Sequence, residues 1–346
     1  MSATRRAALA GLAAAGLTAC DGPAARSASR RPGPQAGALK AVAPCPVGCA
    51  VSSERLRHPA YVDLLTRQFS QLTPEWEMKM EYIVQDDGSF RFDTPDAIAG
   101  FAANHGMRLY GTTLAWHLQH PPAFERLEGD PAAFARAYRN YILAVVGRYR
   151  GRAVGWDTVN EAVAEDGDGL RDSLWSRNLG AEDYMVRAFD HACEADPEAR
   201  LFINDYNLER LLKRGVAVGG IGSQTHIDLD LPRGAMREAL TDLASFGMPI
   251  HISELDVSVA RRFGDFRSRD QRLAAQADKV SEVAEAFMAL PARQRFAFTV
   301  WGLRDQDSWL RSQPHGDPQD APLLFDEIGA EKPAFEALLE GLAARG

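Results

Sequence analysis

The chain has 346 residues, of which 46% are hydrophobic and 25% are charged, and its formal net charge is −8. This length and composition are those of a soluble globular protein with one large domain or two ordinary ones. The acidic balance disfavours nucleic acid and anionic lipid as partners, because both require clustered cations. Neutral partners such as sugars stay open.

Residues 1–19 have the pattern of an export signal. Arg5 and Arg6 precede an apolar run, Ala7 to Ala19, that is too short to span a bilayer. The run ends in "LTAC", which resembles a bacterial lipoprotein processing site and makes Cys20 the predicted lipidation site. A plain cleaved signal peptide is the alternative, and the Sec and twin-arginine routes both stay open. Either way we expect an exported protein: a membrane-anchored lipoprotein, or a periplasmic or secreted one.

Residues 20–44 are rich in Ala, Gly, Pro, Ser and Arg and predict a flexible tether. Cys45 and Cys49 follow it. In a strand their Cα atoms would lie about 13 Å apart, too far for a disulfide, whereas a turn at Pro46 would allow one; both readings stay open. Cys193 lies on the apolar side of a predicted helix and is expected to be a small core residue.

Short β-like runs then alternate with amphipathic helices. The predicted strands cover residues 46–51, 69–73, 107–113, 153–159, 200–204, 218–225, 249–255 and 295–301, and the clearest helices cover 131–149, 181–195 and 269–290. This alternation predicts parallel strands joined by crossovers. Eight repeats favour a single α/β domain over residues 45–346, a (β/α)8 TIM barrel. A doubly wound open sheet is the competitor, but no GxGxxG turn follows the first strand.

Polar and aromatic residues gather where the predicted strands end, which is where a barrel of this kind carries its chemistry. In chain order these candidate site residues are Glu75, Lys79, Trp116, His117, Gln119, Asn160, Glu161, Asn204, Tyr206, Gln224, His226, Glu254, Asp256 and Trp301. Their recurrence at strand after strand indicates one shared site.

Glu161 and Glu254 follow strands four and seven, which face each other across an eight-stranded barrel. Each glutamate alone would be read as a surface carboxylate. Two carboxylates facing across a pocket, however, can cleave a glycosidic bond, one as acid and the other as nucleophile or base. The neighbouring amides and tryptophans favour this second interpretation.

The neighbours of each glutamate indicate its role. His226 could hydrogen-bond Glu254 and keep it ionised as the nucleophile, while Asp256 orients the imidazole. An apolar wall and a nearby second carboxylate favour the protonated form of Glu161, which suits a general acid. Asn160 could donate to the 2-hydroxyl of the sugar being cleaved.

Further support is expected from within and around the strands. Asp157 is expected to adjust the pKa of Glu161 or His117 from the layer of residues behind them. Sugar rings have apolar faces that suit flat aromatic platforms, although core packing is the alternative for each of the candidate tryptophans: Trp116, Trp301 and Trp309.

Neither a metal nor an organic cofactor is expected. His117, His120, His226 and His251 lie on different segments without HExxH or facial-triad spacing. His251 lies within a predicted strand and reads as a hydrogen-bonded barrel histidine. A serine nucleophile is disfavoured because the sequence has no GxSxG motif.

Seven segments together resemble glycoside hydrolase family 10, the retaining endo-β-1,4-xylanases. They are "LTPEWEMKM", "YGTTLAWHLQ", "WDTVNEAV", "LFINDYN", "GIGSQTH", "HISELDV" and "FTVWGLRDQDSW", and the resemblance runs from Val47 to Phe335. It implies a (β/α)8 barrel that cleaves internal β-1,4-xylosidic bonds by double displacement, with Glu161 as acid/base and Glu254 as nucleophile. It also implies xylose subsites lined by Glu75, Lys79, Trp116, Gln119, Asn160, Gln224, His226 and Trp301, with Tyr206 facing the first aglycone sugar.

Two positions depart from the family pattern. Trp76 stands where the family has the Asn of "TPEN", and Thr112 stands where it has the His of "GHT". The resemblance places both on the glycone side, so each change removes a donor to a sugar hydroxyl, worth about 1 kcal/mol or more in a buried site. We therefore expect an altered glycone pocket with a shifted chain-length preference.

Three functions are open at this point. The first is an endo-β-1,4-xylanase acting on xylan or xylo-oligosaccharides. The second is a related β-glycosidase on a non-xylan, decorated or short glycan, because of Trp76 and Thr112. The third is a surface glycan-binding lipoprotein, which the two intact glutamates disfavour. A monomer is expected, without nucleic acid, and with membrane contact only through a lipid at Cys20.

Overall fold

The structure, a computed structural model, describes residues 37–166, 169–205, 218–312 and 316–343. Within these ranges the strands are β1 Val47–Val51, β2 Gln71–Pro74, β3 Arg108–Trp116, β4 Ala153–Asn160, β5 Arg200–Asp205, β6 Gly220–Ser223, β7 His226–Asp228, β8 Ile250–Ser258 and β9 Arg295–Val300. Every paired strand runs parallel to its neighbour.

Helices follow the strands and cover the outside of the sheet. In the described ranges they are α1 Leu39–Val42, α2 Pro59–Gln68, α3 Met80–Ile83, α4 Asp93–His105, α5 Pro122–Glu125, α6 Pro131–Arg148, α7 Leu174–Leu179, α8 Asp183–Ala195, α9 Ala235–Ala244, α10 Arg269–Met288 and α11 Pro333–Ala343. The predicted start of α6 is confirmed, since the Asp130 side chain accepts the Ala133 amide at 3.0 Å and Pro131 occupies the first turn. No helix in these ranges is long and apolar enough to cross a membrane.

The sheet closes on itself. β1 pairs with both β2 and β9, and β6 pairs with both β5 and β8, so eight strand positions form a complete ring. The predicted (β/α)8 barrel is confirmed. A closed ring leaves no unpaired edge and brings the carboxyl ends of all strands to one mouth.

The sixth strand differs from the prediction of one run over 218–225. It stops at Ser223, Thr225 adopts a positive φ of 60°, and pairing resumes with β7, where His226 lies opposite Asp256. A β-branched residue in the left-handed region cannot continue a strand, and the residue pattern of 218–225 does not predict this backbone conformation. The break turns Gln224 and His226 toward the mouth.

Aromatic rings occupy the barrel interior below the mouth. Tyr110 and Phe202 are fully buried with ring centroids 5.7 Å apart, and His251 lies 4.6 Å from Tyr110. The imidazole of His251 hydrogen-bonds the Thr299 hydroxyl at 2.8 Å, as expected for a barrel histidine. The lower barrel is therefore packed core, and ligand access is from above.

Two expectations for the N-terminal part and the cysteines need correction. Residues 37–44, the described end of the predicted tether, include α1, whose Leu39 is fully buried and bonds Gln68 through its amide. Cys193 is exposed and not a core residue, because it faces away from the buried side of α8. Cys45 and Cys49 are free thiols; Cys49 lies in β1 and Cys45 lies two residues before this strand.

Candidate active site

A chain of side-chain amides connects Glu161 and Glu254. Asn204 Nδ2 donates to Glu254 Oε1 at 2.6 Å and to Asn160 Oδ1 at 2.9 Å. Gln224 Nε2 donates to the same Asn160 oxygen at 3.3 Å and to Glu161 Oε1 at 2.9 Å. The two carboxylates, 93 residues apart in sequence (254 − 161), therefore line one mouth of the barrel.

Local backbone geometry places this amide chain. Glu161 directly follows β4 with a φ of 52°, and its amide donates to the Asn204 carbonyl at 2.9 Å. A left-handed non-glycine residue costs roughly 1 kcal/mol or more and is typical of functional sites. Gly222 is required here, since a Cβ at this position would lie 2.3 Å from Asn204 Oδ1. With glycine at this position, Asn204 Oδ1 is free to accept a hydrogen bond from the Ser253 hydroxyl at 2.7 Å.

His226 lies between two carboxylates. Its Nε2 is 3.3 Å from Glu254 Oε2, and its Nδ1 is 2.9 Å from Asp256 Oδ2, which also accepts from Trp309 Nε1 at 2.8 Å. Burial lowers the pKa of His226, but Asp256 and Glu254 outweigh burial and raise this pKa to about 10. The imidazolium therefore persists at neutral pH and places a positive charge beside the Glu254 carboxylate.

Glu161 has a different environment from Glu254. His117 Nδ1 lies 3.6 Å from Glu161 Oε2, and burial together with the Arg171 charge lowers the pKa of His117 to about 4. His117 is therefore neutral at neutral pH and places no positive charge beside Glu161. The Glu161 side chain is 16% exposed and that of Glu254 is 8% exposed, so Glu161 is the one better placed to meet water.

Asp157 lies behind the mouth within β4 and is buried. It accepts from the Tyr110 hydroxyl at 2.6 Å. Burial and the charge of Glu254 raise its pKa to about 8, while hydrogen bonds from Tyr110 and Thr112 oppose the rise. The predicted influence on Glu161 or His117 is not among its described interactions. Its side chain hydrogen-bonds Tyr110 and Thr112 and interacts with the charge of Glu254, because β4 directs it into the barrel.

The raised pKa of Asp157 predicts a pH-dependent stability difference from an Asp157→Asn variant. In the unfolded chain Asp157 ionises near pH 4, whereas in the folded protein it stays protonated up to about pH 8. The folded wild type binds the extra proton, so its stability relative to the variant falls as pH rises from about 4 to 8 and then levels. Thermal unfolding of both proteins across this pH range measures the difference in stability. A stability difference that does not change with pH would contradict the prediction.

The end of β2 carries a charged and aromatic cluster. Arg55 Nη1 bonds Glu75 Oε2 at 2.6 Å, and its guanidinium lies 5.8 Å from the centroid of the Trp76 ring. Lys79 Nζ lies 4.7 Å from the centroid of Trp116. Burial lowers the pKa of Lys79 while Glu254, Glu75 and Glu161 oppose the change, so this ammonium shares the mouth with both glutamates.

The other predicted residues fall in or beside the mouth with distinct surroundings. Gln119 donates to Glu81 at 2.8 Å, Trp301 is largely buried edge-on to His226 at 6.3 Å, and Thr112 is buried in β3. Tyr206 and Cys20 lie outside the described residues. The structure describes no cluster of His, Cys, Asp and Glu able to hold a metal ion.

Several residues that support the site are not among the predicted ones. Tyr110 could have been found from strand periodicity, because it lies two positions before Thr112 and so faces the same side of β3. Arg55 carries no such signal, since it lies in the loop after β1 and reaches Glu75 only through the fold. Arg171, which donates to the Glu161 carbonyl at 3.2 Å, is likewise remote from any motif.

Comparison with known proteins agrees with this geometry. The model of glycosyl hydrolase family 10 matches residues 37–341. Endo-1,4-beta-xylanase A of Caldicellulosiruptor sp. is 36% identical over 85% of this chain, and the endo-1,4-beta-xylanase of Geobacillus stearothermophilus is 35% identical over 84%. The crystal structure of xylanase 10B from Thermotoga maritima superposes with a TM-score of 0.79 at 31% identity, covering 89% of this chain and 98% of that one.

The relatives differ in length. This chain spans 46% of the Caldicellulosiruptor protein and 93% of the Geobacillus protein. The range matched by the family model, residues 37–341, contains the closed barrel and both glutamates at its mouth. The chain therefore belongs to glycosyl hydrolase family 10.

Proposed function

We propose that this protein is a retaining endo-β-1,4-xylanase. The observation that carries the proposal is the amide chain through Asn204, Asn160 and Gln224, which holds Glu161 and Glu254 at one mouth in unlike environments. The relatives named as endo-1,4-beta-xylanases support xylan as the substrate. Family membership supports retention of the anomeric configuration.

In the first step the Glu254 carboxylate attacks the anomeric carbon. The His226 imidazolium and the Asn204 amide both contact this carboxylate. The glycosidic C–O bond breaks as Glu161 delivers its proton to the departing oxygen, and a covalent glycosyl–enzyme ester forms. In this proposal Asn160, whose Oδ1 accepts from two side-chain amides, donates to the 2-hydroxyl of the reacting sugar.

In the second step Glu161 acts as the base. It takes a proton from water, the hydroxide oxygen bonds to the anomeric carbon, and the ester bond to Glu254 breaks. The greater exposure of Glu161 fits this exchange with solvent. Two inversions at one carbon give net retention.

A panel of polysaccharides with a reducing-sugar readout tests the substrate, and proton NMR of the first product tests the stereochemistry. We expect activity on β-1,4-xylan that yields internal fragments, and a β-configured product that later mutarotates. Absence of activity on xylan, or an α-configured first product, would overturn the proposal.

Trp76 and Thr112 predict a weakened glycone side. We expect Trp76→Asn to raise kcat/KM on short xylo-oligosaccharides by about fivefold, the value of one added hydrogen bond, and to alter the product pattern. Thr112→His should add to this if the buried site accepts the larger ring. Kinetics on oligosaccharides of rising length provide the measurement, with Trp76→Phe as the control that keeps an aromatic ring. Unchanged rates and products in Trp76→Asn and in Thr112→His would refute the weakened glycone side.

Export and anchoring are part of the proposal. The signal over 1–19 and the "LTAC" sequence support lipidation of Cys20, with residues 21–36 connecting it to the barrel. Metabolic labelling with a radioactive fatty acid is expected to mark the wild type and not Cys20→Ser. Equal labelling of the two would contradict lipidation at this residue.

A further inference from the structure

The loop between β8 and α10, residues 259–268, has an unusual surface. Phe263 and Phe266 are almost entirely exposed. The same loop and the first turn of α10 hold five arginines, Arg261, Arg262, Arg267, Arg269 and Arg272, in a chain whose net charge is −8. Exposed aromatic rings beside clustered cations indicate a binding surface.

A cavity of about 440 Å³ lies within this loop. It is bordered by Arg261, Phe266, Arg267, Arg269, Arg272 and Asp317. The lining holds four arginines and one aspartate, Asp317, while Asp265 pairs with Arg267 and Asp270 lies in the first turn of α10. The cavity combines an aromatic wall with excess positive charge, and its volume suits a small molecule or a single sugar ring.

The charges accumulate where the fold disfavours them. The cavity lies at the N-terminus of the 20-residue α10, whose dipole favours anions and disfavours arginine. Among the described residues, the Nε of Arg272 is buried without an acceptor. An anion bound in this cavity would satisfy this donor and offset the repulsion between the arginines.

The cavity lies on the same face of the barrel as the active site, because its loop follows the carboxyl end of a barrel strand. Val259, which borders it, lies five residues after Glu254 on the same strand and loop. Arg262 forms ion pairs with Asp228, at the end of β7, and with Asp230 at 3.1 Å. β7 begins at His226, which contacts Glu254, so these ion pairs connect the loop to the strand that carries His226.

We propose that this cavity binds the carboxylate of an acidic sugar, a uronic acid attached as a branch to the glycan in the cleft. The proposal rests on the proposed function, since the main chain must lie across Glu161 and Glu254. The branch ring would pack on Phe266, and its carboxylate would accept from the arginines, with Arg272 Nε among the donors. A planar guanidinium matches a carboxylate through paired hydrogen bonds.

The test compares three xylo-oligosaccharides of equal main-chain length: linear, with a glucuronic acid branch, and with that branch reduced to its neutral alcohol. The variant is the double substitution Arg261→Gln and Arg269→Gln, both at exposed positions. Its matched control is Arg233→Gln with Arg237→Gln, which removes the same charge around the start of α9. Arg237 faces Glu285, 16 residues (285 − 269) and so about 24 Å along α10 from Arg269.

We expect the wild type to have a roughly tenfold lower KM for the acidic branch than for its alcohol, as charged hydrogen bonds of this kind provide. The double variant should lose this preference, while the control variant and all values on the linear substrate stay unchanged. Equal KM for the acid and the alcohol in the wild type, with normal activity on the linear substrate, would overturn the inference and leave the proposed function standing. Lack of activity on the linear substrate would instead refute the proposed function.

A lipid surface is the other anionic partner that this loop could meet. Sedimentation with vesicles of phosphatidylglycerol separates the two, using the protein without its signal and lipid. We expect no binding that depends on Arg261 and Arg269. Vesicle binding that the double variant loses, with no change in sugar preference, would overturn the assignment to a uronic acid.

Discussion

Replacement of Glu254 by alanine will lower kcat on xylan by roughly 10⁴-fold or more, the scale seen when a covalent nucleophile is removed. The Glu254 carboxylate supplies the oxygen that bonds to the sugar in the ester intermediate. The neighbouring Asn204 and His226 have no carboxylate that could replace it. Steady-state rates on xylan and on an aryl β-xylobioside measure the loss. Glu238→Ala, at an exposed position of α9, is the control and should retain full activity.

Azide distinguishes loss of the nucleophile from general damage. In Glu254→Ala the small anion should occupy the vacated space, attack the anomeric carbon once, and restore part of the rate while releasing the α-configured glycosyl azide. Unfolding measurements should show a folded protein. A variant that keeps more than one hundredth of wild-type activity without azide would exclude Glu254 as the nucleophile.

Replacement of Glu161 by alanine will have an effect that depends on the leaving group. On xylan, whose departing alkoxide needs a proton, we expect a loss of about 10³-fold, within the range for general acid catalysis. With a dinitrophenyl leaving group, which departs unprotonated, formation of the glycosyl–enzyme should stay fast. Its hydrolysis should become slow because the base is missing, so a burst of dinitrophenol precedes a slow steady state.

The azide experiment on Glu161→Ala should give the opposite anomeric configuration from that on Glu254→Ala. Azide should attack the accumulated ester in Glu161→Ala and give the β-configured product, since Glu254 has already inverted the carbon once. Glu198→Ala, at an exposed position before β5, is the matched control and should behave as wild type. Equal losses on xylan and on the dinitrophenyl substrate would contradict the acid/base role of Glu161.

Much of the fold was predictable because its signals are local. Alternation of β-like runs with capped amphipathic helices predicted the barrel, and the observed β1, β3 and β4 begin within one residue of the predicted runs. Strand ends in a parallel barrel converge by geometry, so Glu161 and Glu254 could be placed together from their order alone. Spacing and residue type were sufficient for this part of the site.

The remaining features depend on contacts that sequence order does not encode. The break at Thr225 results from a positive φ at a β-branched residue, which no local pattern predicts. Arg55 reaches Glu75 from another loop, and Asp157 turns to Tyr110 because of its position in β4. The arginine cavity beside β8 likewise forms only when the loop folds back on β7.

The central claim is that Glu254 bonds covalently to the sugar while Glu161 exchanges the proton. Mass-spectrometric mapping of enzyme inactivated with a 2-deoxy-2-fluoro xylobiosyl fluoride tests it most directly, because the fluorine slows hydrolysis of the ester. The account predicts one added disaccharide per chain, on the peptide that contains Glu254, and none in Glu254→Ala. A label on any other residue, or turnover without a covalent adduct, would contradict it.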